Sequence, residues 1–118
     1  MRPETAGCLS DARLACERIL DVVLDVPLAA YEQDWKLQSI VERQFTIAGE
    51  AIVRIRELEA AIFERLPDVH RIIGFRNFLV HAYGSIDPER VFKIVATDVR
   101  PLIEALDELL AEANRQGL

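Results

Sequence analysis

The sequence predicts an all-α fold, an up-and-down four-helix bundle with a short extra helical segment, and three observations support this. Apolar residues recur at steps of three and four along the long segments, which is the period of an amphipathic helix. No segment alternates apolar and polar residues between hairpin turns, as half-buried strands do. Prolines stand where helices would begin, end or bend, at Pro27, Pro67, Pro88 and Pro101. At this length the chain forms a single domain, residues 1–118.

The first helix is predicted from about Ser10 to Asp25, with Ser10 or Asp11 as its N-cap. Pro27 ends it, because proline lacks the backbone N–H and clashes with the preceding turn. A short helical segment from Leu28 to Glu32 follows.

The second long helix is predicted from about Asp34 to Leu66, where Pro67 ends it. Gly49 lies inside it at a cost of roughly 1 kcal/mol relative to alanine, which is tolerable where a neighbouring helix must approach closely. Trp35 and Phe45 fall within the helical pattern and are interpreted as core residues. The apolar stripe consists of Leu37, Ile40, Val41, Phe45, Ala48, Ile52, Ile55, Leu58 and Ile62.

The third helix is predicted from about Asp68 to Ala82, and a turn at Gly84-Ser85-Ile86 follows it. Asp87 then has the character of an N-cap, with Pro88 at the first helical position. This last helix would run to about Asn114.

The proline at position 101 interrupts the pattern of the last helix. Since Pro101 cannot donate to the preceding turn and its ring crowds that turn, we expect a kink or break near Val99.

Composition limits the classes of function. A net charge of −6 argues against a broad nucleic-acid-binding surface, although a local patch could still hold a phosphate. The sequence contains no apolar run long enough to span a bilayer and no signal-like core near its start, so we expect a cytoplasmic protein. Cys8 and Cys16 lack metal-type spacing and are expected to be reduced packing residues.

The segment from Gly74 to Gly84 concentrates the polar chemistry of the chain. It is mostly apolar but contains Arg76, Asn77, His81 and Tyr83. On an ideal helix Arg76 and His81 point about 140° apart, so one helix does not easily aim both at one bond. The helix could unwind before His81, the side chains could bend round, or two chains could meet in a two-fold dimer.

These residue types suit RNA cleavage without a metal. The ribose 2′-OH is already held beside its phosphorus, a histidine can move the proton, and an arginine can stabilise charge on the phosphate. Plainer interpretations stay open: Arg76 could be a solvated surface residue, His81 a favourable charge at a helix C-terminus, and Tyr83 a packing aromatic. His70 is interpreted as structural or exposed.

Several motifs in order resemble the HepT-like toxins of the HEPN ribonuclease superfamily. The resemblance extends from about Asp34 to Leu110 and ends in the helix that contains Pro101. Its motifs are Leu37-Gln38-Ser39-Ile40-Val41-Glu42-Arg43, Ile47-Ala48-Gly49-Glu50-Ala51, Gly74-Phe75-Arg76-Asn77-Phe78-Leu79-Val80-His81-Ala82-Tyr83 and Asp87.

The resemblance implies an all-α homodimer that acts as a metal-independent endoribonuclease on tRNA or mRNA. It implies the toxin of a type II/VII-like toxin–antitoxin module, with no cofactor and no metal, paired with a minimal nucleotidyltransferase antitoxin that transfers AMP to a tyrosine. Carried over by residue, Arg76 and His81 are catalytic, Asn77 is supporting, and Tyr83 is the AMPylation acceptor. The alternative is a non-catalytic binding subunit of a nucleotidyltransferase complex.

Overall fold

The computed structural model describes residues 1–81 and 86–118, and this part of the chain contains helices and no strand. It confirms the predicted helical bundle. A π-helical turn, Val95–Val99, joins the last two helices into one continuous rod. The helices are α1 (Pro3–Val23), α2 (Leu28–Glu32), α3 (Trp35–Leu58), α4 (Ala60–Phe63), α5 (His70–His81), α6 (Pro88–Ile94) and α7 (Arg100–Arg115).

Helix α3 is the centre of the bundle, because it packs against α1 on one side and α5 on the other, while α7 packs against α1. The rings of Phe45 on α3 and Phe75 on α5 meet edge to face at 5.1 Å, and both are fully buried. The prediction that Phe45 is a core residue is therefore confirmed. Other fully buried side chains are Leu9, Ile19, Val41, Ile52, Ile55, Ile72, Val99, Leu102 and Leu106.

Helix α1 begins at Pro3, seven residues before the predicted start at Ser10. Its first turn is tied to the distant Glu59: the Arg2 backbone N–H and the Thr5 hydroxyl each donate to Oε1 of Glu59 at 2.8 Å. Proline suits the first helical position, because its missing N–H would have no partner there. A side chain from elsewhere in the chain thus replaces the predicted local cap.

Helix α3 ends at Leu58, although the sequence predicted one helix to Leu66. Glu59 leaves helical geometry with φ −155° and ψ 82°, and the short α4 starts after it. The side chain of Glu59 is the acceptor for the start of α1, so the break places that carboxylate beside α1.

The beginning of α3 is partly as predicted. Asp34 caps it by accepting a 3.0 Å hydrogen bond from the Leu37 N–H. The interpretation of Trp35 as a core residue is wrong, since it is 70% exposed. Trp35 precedes the buried Val41 by six residues, which places it about 120° away from that position on the helix.

Helix α6 starts as the sequence predicts. Oδ1 of Asp87 accepts the Glu89 N–H at 3.0 Å, and Pro88 occupies the first helical position. Near Val99 the predicted kink or break takes the form of the π-helical turn, and helical structure continues at Arg100. A wider turn relieves the crowding by the Pro101 ring without ending the helix.

Helix α5 starts at His70 rather than Asp68, and Asp68 accepts the His70 N–H at 3.0 Å just before it. The predicted end at Ala82 and the turn at Gly84-Ser85 lie outside the described residues. Both cysteines are free and buried, as predicted. Within the described ranges no helix is both long and apolar enough to cross a membrane.

Candidate functional site

The candidate site is built on α5, which is fixed to the bundle by Ile72 and Phe75, two fully buried side chains. Arg76, Asn77 and His81 all lie on this helix. Tyr83 lies outside the described residues.

Arg76 packs directly on Gly49 of α3. A Cβ added at Gly49 would lie 2.7 Å from Cγ of Arg76, still closer to its Cβ, and 3.6 Å from the carbonyl oxygen of Ile72. No real Cβ tolerates such a contact, so only glycine lets the two helices approach this closely here. This confirms the prediction that Gly49 permits a close helix approach, and it identifies Arg76 as the residue accommodated.

The Arg76 guanidinium is held by two polar neighbours. Its Nη1 donates to Oδ1 of Asn77 at 3.0 Å, and Nη2 lies 3.6 Å from Oε1 of Glu50, whose side chain is half exposed. The Arg76 side chain is only 25% exposed. Its Nε is buried and has no hydrogen-bond partner among the described residues. The guanidinium is thus positioned by its neighbours, and the exposed quarter of the side chain is the part that can meet an anion.

His81 is exposed and is the last residue of α5. Because α5 is helical through His81, the helix does not unwind before that residue. Arg76 and His81 therefore diverge by about 140° on the helix. Of the three routes that the sequence left open, bending side chains and a second chain remain. The structure joins Asn77 to Arg76 by a hydrogen bond, while Asn77 and His81, four residues apart, lie on the same face of α5.

One face of α5 is open to solvent and carries His70, Gly74, Asn77 and His81, which are all exposed. These positions fall within about 60° of one another on an ideal helix. An added Cβ at Gly74 would have nothing within 4 Å. The adjacent Val80 is 41% exposed, so the open face has an apolar edge.

Two further charged features of this side were missed by the sequence reasoning. Nη2 of Arg71 forms a 2.7 Å ion pair with Oδ1 of the buried Asp98, and the guanidinium of Arg90 lies over the rings of Phe75 and Phe78. An aspartate that falls among the apolar positions of the last helix was the available signal. In the parts of the chain that the structure describes, no three His, Cys, Asp or Glu side chains are grouped to hold a metal ion.

Comparison with models of protein families gives a match over most of the chain. Residues 12–109, most of the chain, match the model of the protein family described as Ribonuclease HepT-like. Searches of curated proteins and of solved structures returned no significant match. The matched range contains α3, the whole of α5 and the π-helical turn. By this match, together with its all-helical fold, the chain belongs to the HepT-like ribonuclease family.

Proposed function

We propose that this protein is a metal-independent endoribonuclease that acts as the toxin of a two-component toxin–antitoxin module of type II/VII-like organisation. The observation that carries the proposal is the Arg76 guanidinium. It is seated on Gly49 and oriented by Asn77 and Glu50, and its side chain is 25% exposed. An arginine held in this way on the same helix as an exposed histidine suits phosphate chemistry in a family of ribonucleases.

In the proposed reaction, His81 removes the proton of the ribose 2′-OH, and that oxygen attacks the adjacent phosphorus. The bond from phosphorus to the 5′ oxygen breaks, and that oxygen takes up a proton. The products are a 2′,3′-cyclic phosphate and a 5′-hydroxyl end. Arg76 binds the phosphate and stabilises the charge that builds on its oxygens, while Asn77 supports Arg76 through their hydrogen bond.

The divergence of Arg76 and His81 supports a homodimer in which the side of α5 between these two residues, which includes Val80 and Asn77, meets its copy. A two-fold axis there would place two arginines and two histidines around one cleft. The open space at Gly74 would allow the copies to approach, and Val80 would add apolar contact.

Purified protein incubated with total RNA tests the catalytic assignment. Cleavage should survive EDTA, and a substrate with 2′-deoxyribose at the scissile position should resist. Arg76→Ala and His81→Ala should each abolish cleavage with helical content unchanged. Arg76→Lys should lose most activity, since a point charge does not reproduce a planar fork on phosphate.

His70→Ala is the matched control, because His70 is the only other histidine and is exposed on the same helix. It should cleave like the wild type. Wild-type activity in either Arg76→Ala or His81→Ala would refute the assignment. A wild-type protein that binds its nucleotidyltransferase but cleaves no RNA would favour the non-catalytic binding subunit.

The substitution Gly74→Arg tests the dimer. The site has open space in one chain, so the variant should fold normally by circular dichroism and yet be monomeric by light scattering, with cleavage lost. A wild-type protein that is monomeric at micromolar concentration would contradict the dimer, as would a Gly74→Arg variant that still dimerises and cleaves.

Neutralisation is proposed to occur through AMP transfer from ATP to the Tyr83 hydroxyl by a minimal nucleotidyltransferase antitoxin. The added phosphodiester would bring negative charge near Arg76, seven residues earlier, and compete with the RNA phosphate. Tyr83→Phe should keep much of the cleavage activity and escape the mass increase. Tyr31→Phe is the control, since Tyr31 is the other tyrosine and is buried. Full AMP addition to the Tyr83→Phe variant, measured by intact mass, would refute this switch.

A further inference from the structure

A second cationic feature lies on the other side of α5 from Arg76. A pocket of about 140 Å³ opens between α5 and the rod of α6 and the π-helical turn. Within the described residues no carboxylate lines it. Its lining consists of Arg71, Arg90, Lys93, Ile94 and Thr97.

Each of the two arginines of this pocket, although exposed, has a partner within the protein. Arg71 pairs at 2.7 Å with Asp98, whose side chain is only 4% exposed. The Arg90 guanidinium lies 5.3 Å from the ring centre of Phe75 and 5.1 Å from that of Phe78. Cations held by packing and ion pairing lose less rotational freedom on binding, which favours affinity.

The π-helical turn positions Asp98, the residue that holds Arg71. Asp98 lies within Val95–Val99 and is buried with Oδ1 on Arg71, while its Oδ2 has no hydrogen-bond partner among the described residues. Local π-helical turns recur at functional sites. A buried carboxylate is costly unless it is paired, so its retention beside Arg71 points to a role in holding that guanidinium at the pocket.

The charge of the pocket selects its ligand. Arg71, Arg90 and Lys93 bring three positive charges, and Asp98 offsets one of them. The chain as a whole has a net charge of −6, so this concentration of cations runs against its general character. Two guanidiniums and an ammonium around a small pocket match the several acceptor oxygens of a phosphate group.

The position of the pocket separates it from the proposed reacting phosphate. On an ideal helix Arg71 points about 140° from Arg76 and about 80° from His81, and it lies about 15 Å before His81 along the axis. A phosphate in this pocket is therefore a different one from the phosphate that Arg76 and His81 would handle.

We infer that the pocket between α5 and α6 is a second RNA-binding subsite, which holds a backbone phosphate of the substrate away from the scissile bond. The inference rests on the proposed ribonuclease function. The subsite would raise the affinity for RNA and fix the register of the RNA on the protein, since phosphate contacts position a nucleic acid without acting on it.

Binding by a catalytically silent protein tests the subsite apart from cleavage. In a His81→Ala background, affinity for a fluorescent RNA oligonucleotide is measured at several salt concentrations, with and without Lys93→Gln and Arg90→Gln. Lys36→Gln is the matched control, because Lys36 is the only other lysine and is exposed at the start of α3. Circular dichroism establishes that every variant is folded.

We expect Lys93→Gln to weaken RNA binding about 5-fold at low salt and to lower the salt slope by about 0.7 for a single-stranded contact. Arg90→Gln should have the larger effect and Lys36→Gln almost none. In the cleavage-competent protein, Lys93→Gln should raise KM and leave kcat close to its wild-type value.

Unchanged affinity and salt slope in both pocket variants would overturn the subsite, as would loss of binding to the nucleotidyltransferase without loss of binding to RNA. Inorganic phosphate that displaces the RNA at micromolar concentration would identify a free-phosphate site and also overturn it. If the wild type cleaves no RNA while the pocket variants lose RNA binding, the proposed function fails and the pocket is an RNA-binding site of a protein that does not cleave RNA.

Discussion

The two sides of α3 differ in how they treat polar groups. Towards α1 the buried side chains are mostly apolar, such as Ala12, Ala15 and Ala48, and the buried Thr5 hydroxyl donates to Glu59 at 2.8 Å. Towards α5, and in the rod beyond it, charged groups lie deep in the structure, with Arg76 on Gly49 and Asp98 beneath Arg71. The first arrangement contributes stability through burial, and the second holds charged groups ready to bind at some cost to stability.

The largest expected effect comes from filling the glycine contact on the α5 side. Gly49→Ala should lower the free energy of unfolding by about 2 to 3 kcal/mol, since overpacking of this kind outweighs the helix propensity gained. The new methyl group would press on Cβ and Cγ of Arg76, which are not the free end of a flexible side chain. Chemical denaturation followed by circular dichroism measures the change.

Gly7→Ala on α1 is the matched control for this substitution. Nothing lies within 4 Å of a Cβ added there, so the variant should be more stable by about 0.5 to 1 kcal/mol. Equal effects at Gly7 and Gly49 would show that the close approach of Arg76 does not limit the spacing of α3 and α5.

Breaking the ion pair between the exposed Arg71 and the buried Asp98 should have the next largest effect. Arg71→Ala would leave the Asp98 carboxylate almost fully buried without its partner, at a cost of about 2 kcal/mol. Arg65→Ala removes an arginine from the exposed pair with Glu112, where the loss should be much smaller because solvent screens the pair. Thermal unfolding of the two variants side by side measures the difference, and equal losses would contradict the assigned depth of the Asp98 pair.

On the α1 side, the contribution of Glu59 to stability should depend on pH. The backbone N–H of Arg2, followed by the Thr5 hydroxyl, holds the pKa of Glu59 below its ordinary value of 4.5. Because the pKa of Glu59 is lower in the folded protein, its ionisation stabilises the folded state at pH values above its pKa in the unfolded chain. This stabilisation is lost as the pH falls through the pKa of Glu59 in the folded protein. Glu59→Gln should cost about 1 kcal/mol at neutral pH.

Below pH 4 the difference in the free energy of unfolding between Glu59→Gln and the wild type should narrow, because the wild-type carboxyl becomes protonated and loses its charge. Urea denaturation at pH 7 and pH 3 provides the measurement. An equal difference in the free energy of unfolding at the two pH values would show that the charge of Glu59 does not help to anchor α1.

The smallest effect is expected at the two cysteines, whose thiols should stay unreactive while the bundle is folded. Burial raises the pKa of Cys16 to about 12 and raises that of Cys8 to a lesser degree. Thiolates are the reactive form, so iodoacetamide at pH 8 should label neither residue quickly in the native protein and both in denaturant. Rapid native labelling at Cys16 would show that α1 opens readily.

The helices were predictable where a local signal marks their boundary. Asp34 and Asp87 cap the following helices, as their side chains and positions indicate, and α2 has the predicted bounds. The start of α1 and the break after Leu58 were both missed. Both involve Glu59 meeting the first turn of α1, a contact between residues more than fifty positions apart. Pro3 was a local signal for the start of α1 that the prediction did not use.

The residues of the candidate site were predictable from the sequence, but the side chains that they contact were less so. The spacing of Arg76 and His81 gave their divergence on the helix, and the unbroken α5 agrees with it. Gly49 was singled out as a point of close approach, but the sequence could not name Arg76 as the side chain packed there. The pairing of Arg71 with Asp98 crosses between helices and depends on the π-helical turn, so spacing alone could not reveal it.

The exposed position of Trp35 determines what optical measurements on this protein can report. It is the only tryptophan, and its ring lies in solvent with the Lys36 ammonium 5.7 Å from its centre. Its emission should therefore be that of an indole in water in both the folded and the unfolded chain. Intrinsic fluorescence is then a poor indicator of unfolding, and it is a sensitive indicator of any molecule that covers the start of α3.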